Sequence, residues 1–169
     1  MSDRLSLREY QRKLSARLVN LEAGQAASKL GVQIGKAGWL VDLVDAGEVI
    51  PVPPITPVPL THAWFAGVAN IRGNLYSVVD FAAFLGAAPS APTETARLLL
   101  LHSKYRVSAA LLVERVLGMH GSEQLQHRRD TDKMAPWVRA EYTDSSGKAW
   151  HELDVPKLVQ HPDFLNVGI

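Results

Sequence analysis

The sequence predicts a mainly β protein made of two similar small lobes, each a few strands followed by a short helix. From residue 30 onward, apolar and polar residues alternate over much of the chain with a period of two, which is typical of strands. The segment VDFAAFL at 79–85 has a counterpart, LDVPKLV, at 153–159. A repeat of roughly 70 residues is too long for a solenoid. Because neither lobe can bury a large core alone, we expect the two lobes to pack on each other.

Composition and charge narrow the function classes. The chain has 169 residues, which suits one domain or two small lobes sharing a core. It has no cysteine, which excludes disulfides, thiolate metal sites and cysteine nucleophiles. Lys and Arg number 18 against 17 Asp and Glu, so overall charge attracts neither nucleic acid nor an anionic membrane. The N-terminus is charged and no apolar run is long enough to span a bilayer, so we expect a cytoplasmic protein without direct membrane insertion.

Residues 1–28 form an extension before the first predicted strand. The sequence SLRE at 6–9 fits a capping box, with Ser6 as the N-cap. Apolar residues then recur every three or four positions, at Leu7, Tyr10, Leu14, Leu18 and Leu21. This spacing predicts an amphipathic helix over 7–23, because it places the apolar side chains on one face. The helix either packs on the body of the protein or docks a partner or an anionic surface.

The first predicted lobe begins with a hairpin. Apolar residues alternate over 30–34 and 39–43 around a turn at 35–38, and residues 49–50 close a third short strand. Five prolines over 51–59 then exclude a helix or a central strand. We interpret this proline-rich segment as a rigid connector; the alternative is a PxxP ligand for an aromatic groove.

After the connector, a polar loop lies between two apolar stretches. We expect a short buried helix or turn at 64–69, a tight loop at 70–74 and a strand at 75–79. Asp80 then caps a short helix at 81–85. The second half repeats this order, with predicted strands at 98–101, 105–116, 137–142 and 148–153, a polar irregular segment at 118–135, and a helix capped by Asp154.

Motifs that would indicate catalysis are absent or broken. There is no glycine-rich phosphate loop and no GxSxG. HELDV at 151–155 begins like the zinc motif HExxH, but it ends in valine and lies in a predicted strand, which cannot present two ligands one helical turn apart. Asp80 and Asp154 each precede an apolar helical stretch, and capping explains them better than a catalytic pair. The six histidines lack ligand spacing, so we expect no metal, no cofactor and no catalytic residue.

The loop NIRGN at 70–74 remains as the strongest candidate for a functional site. Gly73 suits a turn position that needs a positive φ. Arg72 lies in a tight loop between two apolar stretches. It either bonds nearby carbonyls as a structural arginine or is presented to a partner's carboxylate or backbone. The residues alone leave both interpretations open.

The run WFAGVANIRGNLYSVVDFAAFL at 64–85 resembles the signature of the CheW-like domain family. In that family a glycine, a small segment, N-x-R-G, an apolar strand and an aspartate follow in this order. Residues 39–50 resemble the family's first hairpin, 55–59 its connector and 98–117 its central hairpin. The N-terminal extension makes the chain more similar to the PilI-type members, which serve type IV pilus and twitching chemosensory systems, than to the flagellar adaptor.

The resemblance implies two intertwined five-stranded SH3-like barrels over 29–160, followed by a tail at 161–169. It also implies a non-catalytic adaptor that couples the cytoplasmic tip of a methyl-accepting chemoreceptor to the regulatory domain of a CheA-type histidine kinase. The receptor tip would dock in the groove between the lobes, and the first lobe would offer the kinase an exposed apolar patch. Carried over residue by residue, the partner-binding positions are Glu48, Val49, Asn70, Arg72, Gly73, Leu98 and Leu100.

The alternative function is a double-barrel module that binds a peptide or nucleic acid. Such a module would need a basic face with interleaved aromatic residues. The near-neutral charge argues against it, and the basic cluster at 127–129 is short. The four tryptophans lie in apolar strand or turn segments and are expected in the core.

Overall fold

The computed structural model describes residues 29–121, 124–129 and 134–169. Over these residues the chain forms two β-sheets and three short α-helices, so the predicted mainly β class is confirmed. The amphipathic helix predicted at 7–23 lies outside the described residues. Within the described ranges, no helix has both the length and the apolar character needed to cross a membrane.

One sheet has six strands, one more than the resemblance implies for each lobe. Its strands are β1 (Lys29–Ile34), β2 (Ala37–Asp42), β8 (Arg115–His120), β9 (Gln126–Arg129), β10 (Val138–Thr143) and β11 (Ala149–Leu153). They lie in the order β8-β1-β2-β11-β10-β9. Neighbouring strands are antiparallel except β2 and β11, which run parallel.

The other sheet has five strands. They are β3 (Ala46–Pro51), β4 (Phe65–Ile71), β5 (Asn74–Asp80), β6 (Arg97–Leu101) and β7 (Ala109–Val113). Their order is β3-β6-β7-β5-β4, with β3 and β4 at the two edges. Here too one pair is parallel, β5 with β7.

The two sheets do not correspond to the two halves of the sequence. Strands β1 and β2, from the start of the described chain, pair with β8 to β11 from its end, and the middle strands form the second sheet. Side chains from both sheets meet in one buried cluster, which includes Trp39, Phe81, Leu99, Leu111 and Leu153. The two sheets therefore share a core, as the repeat predicted for the two lobes, and they are intertwined, as the family resemblance implied.

The single long strand predicted at 105–116 is wrong. After a short 3-10 turn at Ser103–Tyr105, the chain forms β7 in one sheet and β8 in the other, with a break at Glu114. The Glu114 backbone N–H donates to the Gln33 carbonyl (3.1 Å), and its carboxylate accepts from the Gly35 backbone N–H (2.9 Å). These bonds attach Glu114 to the β1–β2 hairpin at the residue where the chain changes sheet.

The short buried helix or turn predicted at 64–69 is also wrong, because this segment belongs to strand β4. Burial alternates along β4, but small residues at several positions hide the period in the sequence. At Gly67 (φ 135°), a Cβ atom would lie 2.1 Å from the Thr56 carbonyl oxygen. Thr56 and Val68 exchange two backbone hydrogen bonds of 2.8 and 2.9 Å. The proline-rich connector thus covers the outer edge of β4, and only glycine allows it to approach so closely.

Short helices follow the two repeated Asp positions. They are α1 (Phe81–Phe84) and α2 (Val155–Gln160), with α3 (Pro162–Leu165) directly after α2. Asp80 accepts a hydrogen bond from the Ala83 backbone N–H at 3.2 Å, and Asp154 accepts one from the Lys157 backbone N–H at 3.1 Å. The capping interpretation of both aspartates is therefore confirmed.

Candidate functional site

The β4–β5 hairpin shapes the loop that the sequence singled out. Its two central residues, Arg72 (φ 52°) and Gly73 (φ 84°), both have positive φ, as a type I′ turn requires. The Asn70 side-chain oxygen accepts a hydrogen bond from the Gly73 backbone N–H at 2.9 Å. Glycine adopts this conformation without strain, whereas at Arg72 it is uncommon for a residue with a side chain. The turn therefore holds Arg72 in a defined direction.

Arg72 forms a two-point ion pair with Glu48. Its Nη1 lies 2.7 Å from Glu48 Oε2, and its Nη2 lies 2.5 Å from Oε1. Two parallel hydrogen bonds of this kind are the strongest arrangement for a guanidinium group and a carboxylate. The hydrogen bonds from Arg72 lower the pKa of the Glu48 carboxyl below its usual range. Both side chains remain open to solvent, Arg72 at 69% and Glu48 at 45%.

The ion pair joins the two edges of the five-stranded sheet. Glu48 lies on β3 and Arg72 follows β4, and these are the first and last strands in the sheet order. The sequence left two interpretations open for Arg72, bonding to nearby carbonyls or presentation to a partner. In the structure Arg72 instead binds a side-chain carboxylate of its own chain. Because the pair is exposed, its outer side is also accessible to a second molecule. The Glu48 carboxylate can accept a charge-assisted hydrogen bond from a partner, and the Arg72 guanidinium can donate one, without a change in either side chain's position.

The other predicted site residues divide into two groups. Asn70 and Gly73 are exposed in the turn, and Val49 is half-buried on β3 beside Glu48. Leu98 and Leu100, by contrast, are buried in a core cluster beneath the sheet. They lie on β6, which is paired on both sides by β3 and β7, so their side chains offer no surface to a partner in this fold. Their assignment as partner-binding residues is corrected accordingly.

One exposed apolar residue beside the ion pair was missed. Leu75 lies at the start of β5, pairs with Asn70 across the hairpin, and is 64% exposed. The signal available in the sequence was an apolar residue directly after a polar turn, at the exposed end of the strand.

An aromatic pocket of about 300 Å³ lies where the two lobes meet. Trp64 and Phe84 come from the five-stranded side, and Trp137 directly precedes β10. The Phe84 and Trp137 ring centroids are 5.1 Å apart, and the His62 ring stacks on Trp64 at 5.5 Å. The indole N–H of Trp137 is buried and has no hydrogen-bond partner within the described part of the chain. The pocket combines aromatic rings with the polar side chains of His62, Asp163 and Asn166, so it could receive a side chain of a docked segment.

A second group of charges links strands of the six-stranded sheet. Lys29 Nζ lies 2.5 Å from Asp42 Oδ1 and 2.9 Å from Glu152 Oε1. Arg139 Nη1 contacts the same two carboxylates at 2.8 and 3.2 Å, and the Tyr142 hydroxyl donates to Glu152 at 2.8 Å. Burial raises the pKa of Asp42, but the hydrogen bonds from Lys29 and Arg139 outweigh it and lower that pKa overall.

The groups considered for catalysis have structural partners. His151, Glu152 and Leu153 lie on strand β11, so the expected strand is confirmed for the first three residues of HELDV, and Val155 begins α2. Asp80 and Asp154 are helix caps, and Asp80 also accepts from the backbone and hydroxyl of Ser90 at 2.7 and 2.9 Å. Among the residues that the structure describes, no three His, Asp or Glu side chains form a group that could hold a metal ion.

The two intertwined sheets, with capped short helices after β5 and β11, define a double β-lobe module. Residues 29–163 match the model of the CheW-like domain, and this chain belongs to that family. The chain is 31% identical over 165 residues to the protein PilI of Pseudomonas aeruginosa, which covers 94% of this chain and 90% of PilI.

Two further comparisons agree with the family. The chemotaxis protein CheW of Rhizobium meliloti is 32% identical over 87 residues, which covers 52% of this chain and 56% of that protein. The crystal structure of the scaffolding protein TtCheW from Thermoanaerobacter tengcongensis has the same fold, with a TM-score of 0.61 at 16% identity. The structural match covers 75% of this chain and 88% of that chain.

Proposed function

We propose that this protein is a non-catalytic chemosensory adaptor, which couples a methyl-accepting chemoreceptor to a CheA-type histidine kinase in the cytoplasm. The similarity to PilI over nearly the whole chain favours a type IV pilus or twitching system over a flagellar one. In this proposal, 29–160 is the adaptor domain and its two lobes correspond to the SH3-like barrels of the family. The observation that carries the proposal is the exposed Glu48–Arg72 pair at the edges of the five-stranded sheet.

The surface around this pair suits the regulatory domain of the kinase. Glu48 and Arg72 are ordered by each other and by the type I′ turn, so little side-chain entropy is lost when a partner binds. The exposed Leu75, across the hairpin from Asn70, adds apolar area near the charges. An apolar centre next to an arginine is a common composition for the energetically important part of an interface.

The receptor tip is assigned to the groove between the lobes, where the aromatic pocket lies. A helical hairpin tip could place an apolar side chain against the rings of Trp64, Phe84 and Trp137, which line this pocket. The two partners would then bind different surfaces of one rigid body, which is what an adaptor that links them requires.

The test uses the purified full chain, a kinase regulatory domain and a soluble receptor fragment from the same organism. Calorimetry should show that Arg72→Ala weakens kinase binding roughly tenfold or more while receptor binding is unchanged. The unfolding midpoint should stay the same, because an exposed ion pair adds little stability. Lys36→Ala is the matched control, since Lys36 is an exposed cation in the hairpin turn of the other sheet.

One result would contradict the adaptor function, and another would contradict only the contact surface. If the wild-type chain binds neither the kinase domain nor the receptor fragment, the adaptor function is wrong. If it binds the kinase domain and Arg72→Ala binds equally well, the function stands and the ion pair is not its contact surface.

A further inference from the structure

The aromatic pocket has a carboxylate at its rim. Besides the rings of Trp64, Phe84 and Trp137, the side chains of Asp163 and Asn166 line it, around a volume of about 300 Å³. Asp163 belongs to α3, and its side chain is 72% exposed. The pocket therefore places an accessible negative charge beside aromatic rings.

The Asp163 carboxylate keeps its charge. Within the described part of the chain, no lysine or arginine forms an ion pair with it, and its one such contact is with His161, whose Nδ1 lies 3.7 Å from Asp163 Oδ2. This nitrogen accepts a hydrogen bond from the Asp163 backbone N–H at 3.2 Å, so it carries no proton in this arrangement. The nearby Lys157 lies 3.8 Å from Asp154 instead. The carboxylate is therefore available to a cation of another molecule.

The aromatic rings add a second attraction for a cation. The face of an aromatic ring carries partial negative charge, so a positive group held against it is stabilised, most strongly by tryptophan. The Phe84 ring centroid lies 5.2 Å from that of Trp64 and 5.1 Å from that of Trp137. The ring planes are inclined by 86° and 49°, so the three rings form walls of different orientation rather than one stack.

The position of Asp163 is fixed relative to these rings. The next residue, Phe164, is buried, and its ring centroid lies 5.8 Å from that of Phe84. The His62 backbone N–H donates to the Val167 carbonyl at 2.9 Å, which holds the segment after α3 against the segment before β4. Because these contacts exist without a partner, the pocket is already formed in the free protein, and a ligand loses little free energy in ordering it.

The charge and the rings together select the class of side chain that fits. A purely apolar side chain would contact the rings and leave the Asp163 carboxylate without an opposite charge, and an acidic side chain would be repelled. A lysine or arginine side chain uses both features, because its methylene stem packs on the rings while its charged end stays at the open rim. We propose that the aromatic pocket binds a lysine or arginine side chain of the docked partner. The inference rests on the proposed function for the identity of that partner, the receptor tip.

Blocked amino acids test the chemistry of the pocket without a receptor. The probes are N-acetyl-lysine methylamide and N-acetyl-arginine methylamide, and N-acetyl-norleucine methylamide is the neutral control. NMR on the purified full chain follows the indole N–H signals of its four tryptophans. The signals of Trp64 and Trp137 should shift, whereas those of Trp39 and Trp150, which are buried outside the pocket, should not. At least one cationic probe should bind roughly fivefold more tightly than the norleucine probe.

Two matched variants assign the preference to the carboxylate. Asp163→Asn removes the charge and keeps the shape, and it should reduce the affinity for the cationic probe to about that for norleucine. Glu94→Gln removes an equal charge from an exposed residue that does not line the pocket, and it should change nothing. Both unfolding midpoints should equal that of the wild type. The proposal is overturned if norleucine binds as tightly as both cations, if Asp163→Asn binds the cations normally, or if the Trp64 and Trp137 signals do not move.

Calorimetry with the soluble receptor fragment separates this inference from the proposed function. Asp163→Asn should bind the fragment roughly fivefold more weakly than the wild type, and Glu94→Gln should bind it equally well. If Asp163→Asn also binds it equally well, the adaptor function stands and the pocket does not hold a basic side chain of the receptor. If the wild type does not bind the fragment, the receptor is wrong as the partner, and the probe titration alone decides whether the pocket takes a cation.

Discussion

Each sheet of this protein has ion pairs between its strands, but the two sets differ in exposure and size. On the five-stranded sheet, Glu48 and Arg72 bind each other in the open. On the six-stranded sheet, Lys29 and Arg139 share the carboxylates of Asp42 and Glu152, and the Glu152 side chain is only 5% exposed. Water screens the first pair and screens the second group far less.

The difference teaches where charge contributes to stability and where it is available for binding. An exposed pair adds little to folding, because both partners are nearly as well solvated when separate. In a buried group, each charge has lost its hydration and is stabilised by the opposite charges beside it. Removing one charge therefore leaves its neighbours buried without a partner of opposite charge. The charges of Lys29, Arg139 and Glu152 therefore stabilise the pairing of strands in the six-stranded sheet. Glu48 and Arg72 on the five-stranded sheet remain at the surface.

The largest expected effect comes from Glu152→Gln. This change removes the charge that Lys29 and Arg139 share, while keeping the size of the side chain. We expect a loss of about 3 kcal/mol in the free energy of unfolding, measured with urea. A loss no greater than that of Glu48→Gln would mean that the buried group is not coupled, and the contrast between the sheets would fail.

Backbone geometry, rather than charge, should matter most near the exposed pair. Gly67→Ala puts a methyl group 2.1 Å from the Thr56 carbonyl oxygen and should cost about 2–3 kcal/mol. Gly73→Ala meets open space and keeps only the strain of a positive φ, so it should cost about 1 kcal/mol. Both free energies of unfolding come from the same urea titration, and the reverse order would show that the connector is not pinned to β4.

The interior of the six-stranded sheet should also respond to pH through His151. Burial lowers the pKa of this imidazole below its ordinary 6.5, and the nearby Glu141 carboxylate only partly opposes the shift. The unfolded chain therefore takes up the proton first as the pH falls. The stability that neutral His151 allows is fully present above about pH 6.5 and is lost as the pH drops toward the pKa of His151 in the folded chain. His151→Gln should flatten the dependence of the unfolding free energy on pH between about 7.5 and 5.5, and an unchanged slope would assign the effect to another group.

The smallest expected effect is that of Glu48→Gln on folding. The unfolding midpoint should stay at the wild-type value at low and high salt, because the pair is exposed. Kinase binding should nevertheless weaken and lose part of its salt dependence. A clear fall in the midpoint would place Glu48 with the structural charges of the other sheet.

Several local features followed directly from the sequence. The alternation at Leu30, Val32 and Ile34 predicted β1, and the polar residue before an apolar stretch predicted both Asp caps. Gly73 was expected at a positive φ and adopts one. Each of these depends on interactions within a few residues, so a short window of sequence contains the cause.

The errors have equally specific causes. In β4 the alternation is carried by Gly67 and small neighbours, so the period was too weak to recognise. Leu98 and Leu100 lie in a nearly continuous apolar run, in which no alternation tells an inner face from an outer one. The pairing of Arg72 with Glu48 was missed although both were candidates, because nothing local to either residue shows that their strands meet.

By itself, the sequence determined the class of the fold, the positions of most strands, the turns and the caps, and the resemblance to a family through N-x-R-G. Only the tertiary structure decided which strands share a sheet, that the chain changes sheet at Glu114, and which charges meet. The physical reason is the range of the interactions. Periodicity and capping act between near neighbours, whereas strand pairing and ion pairs join residues that only the complete fold brings together.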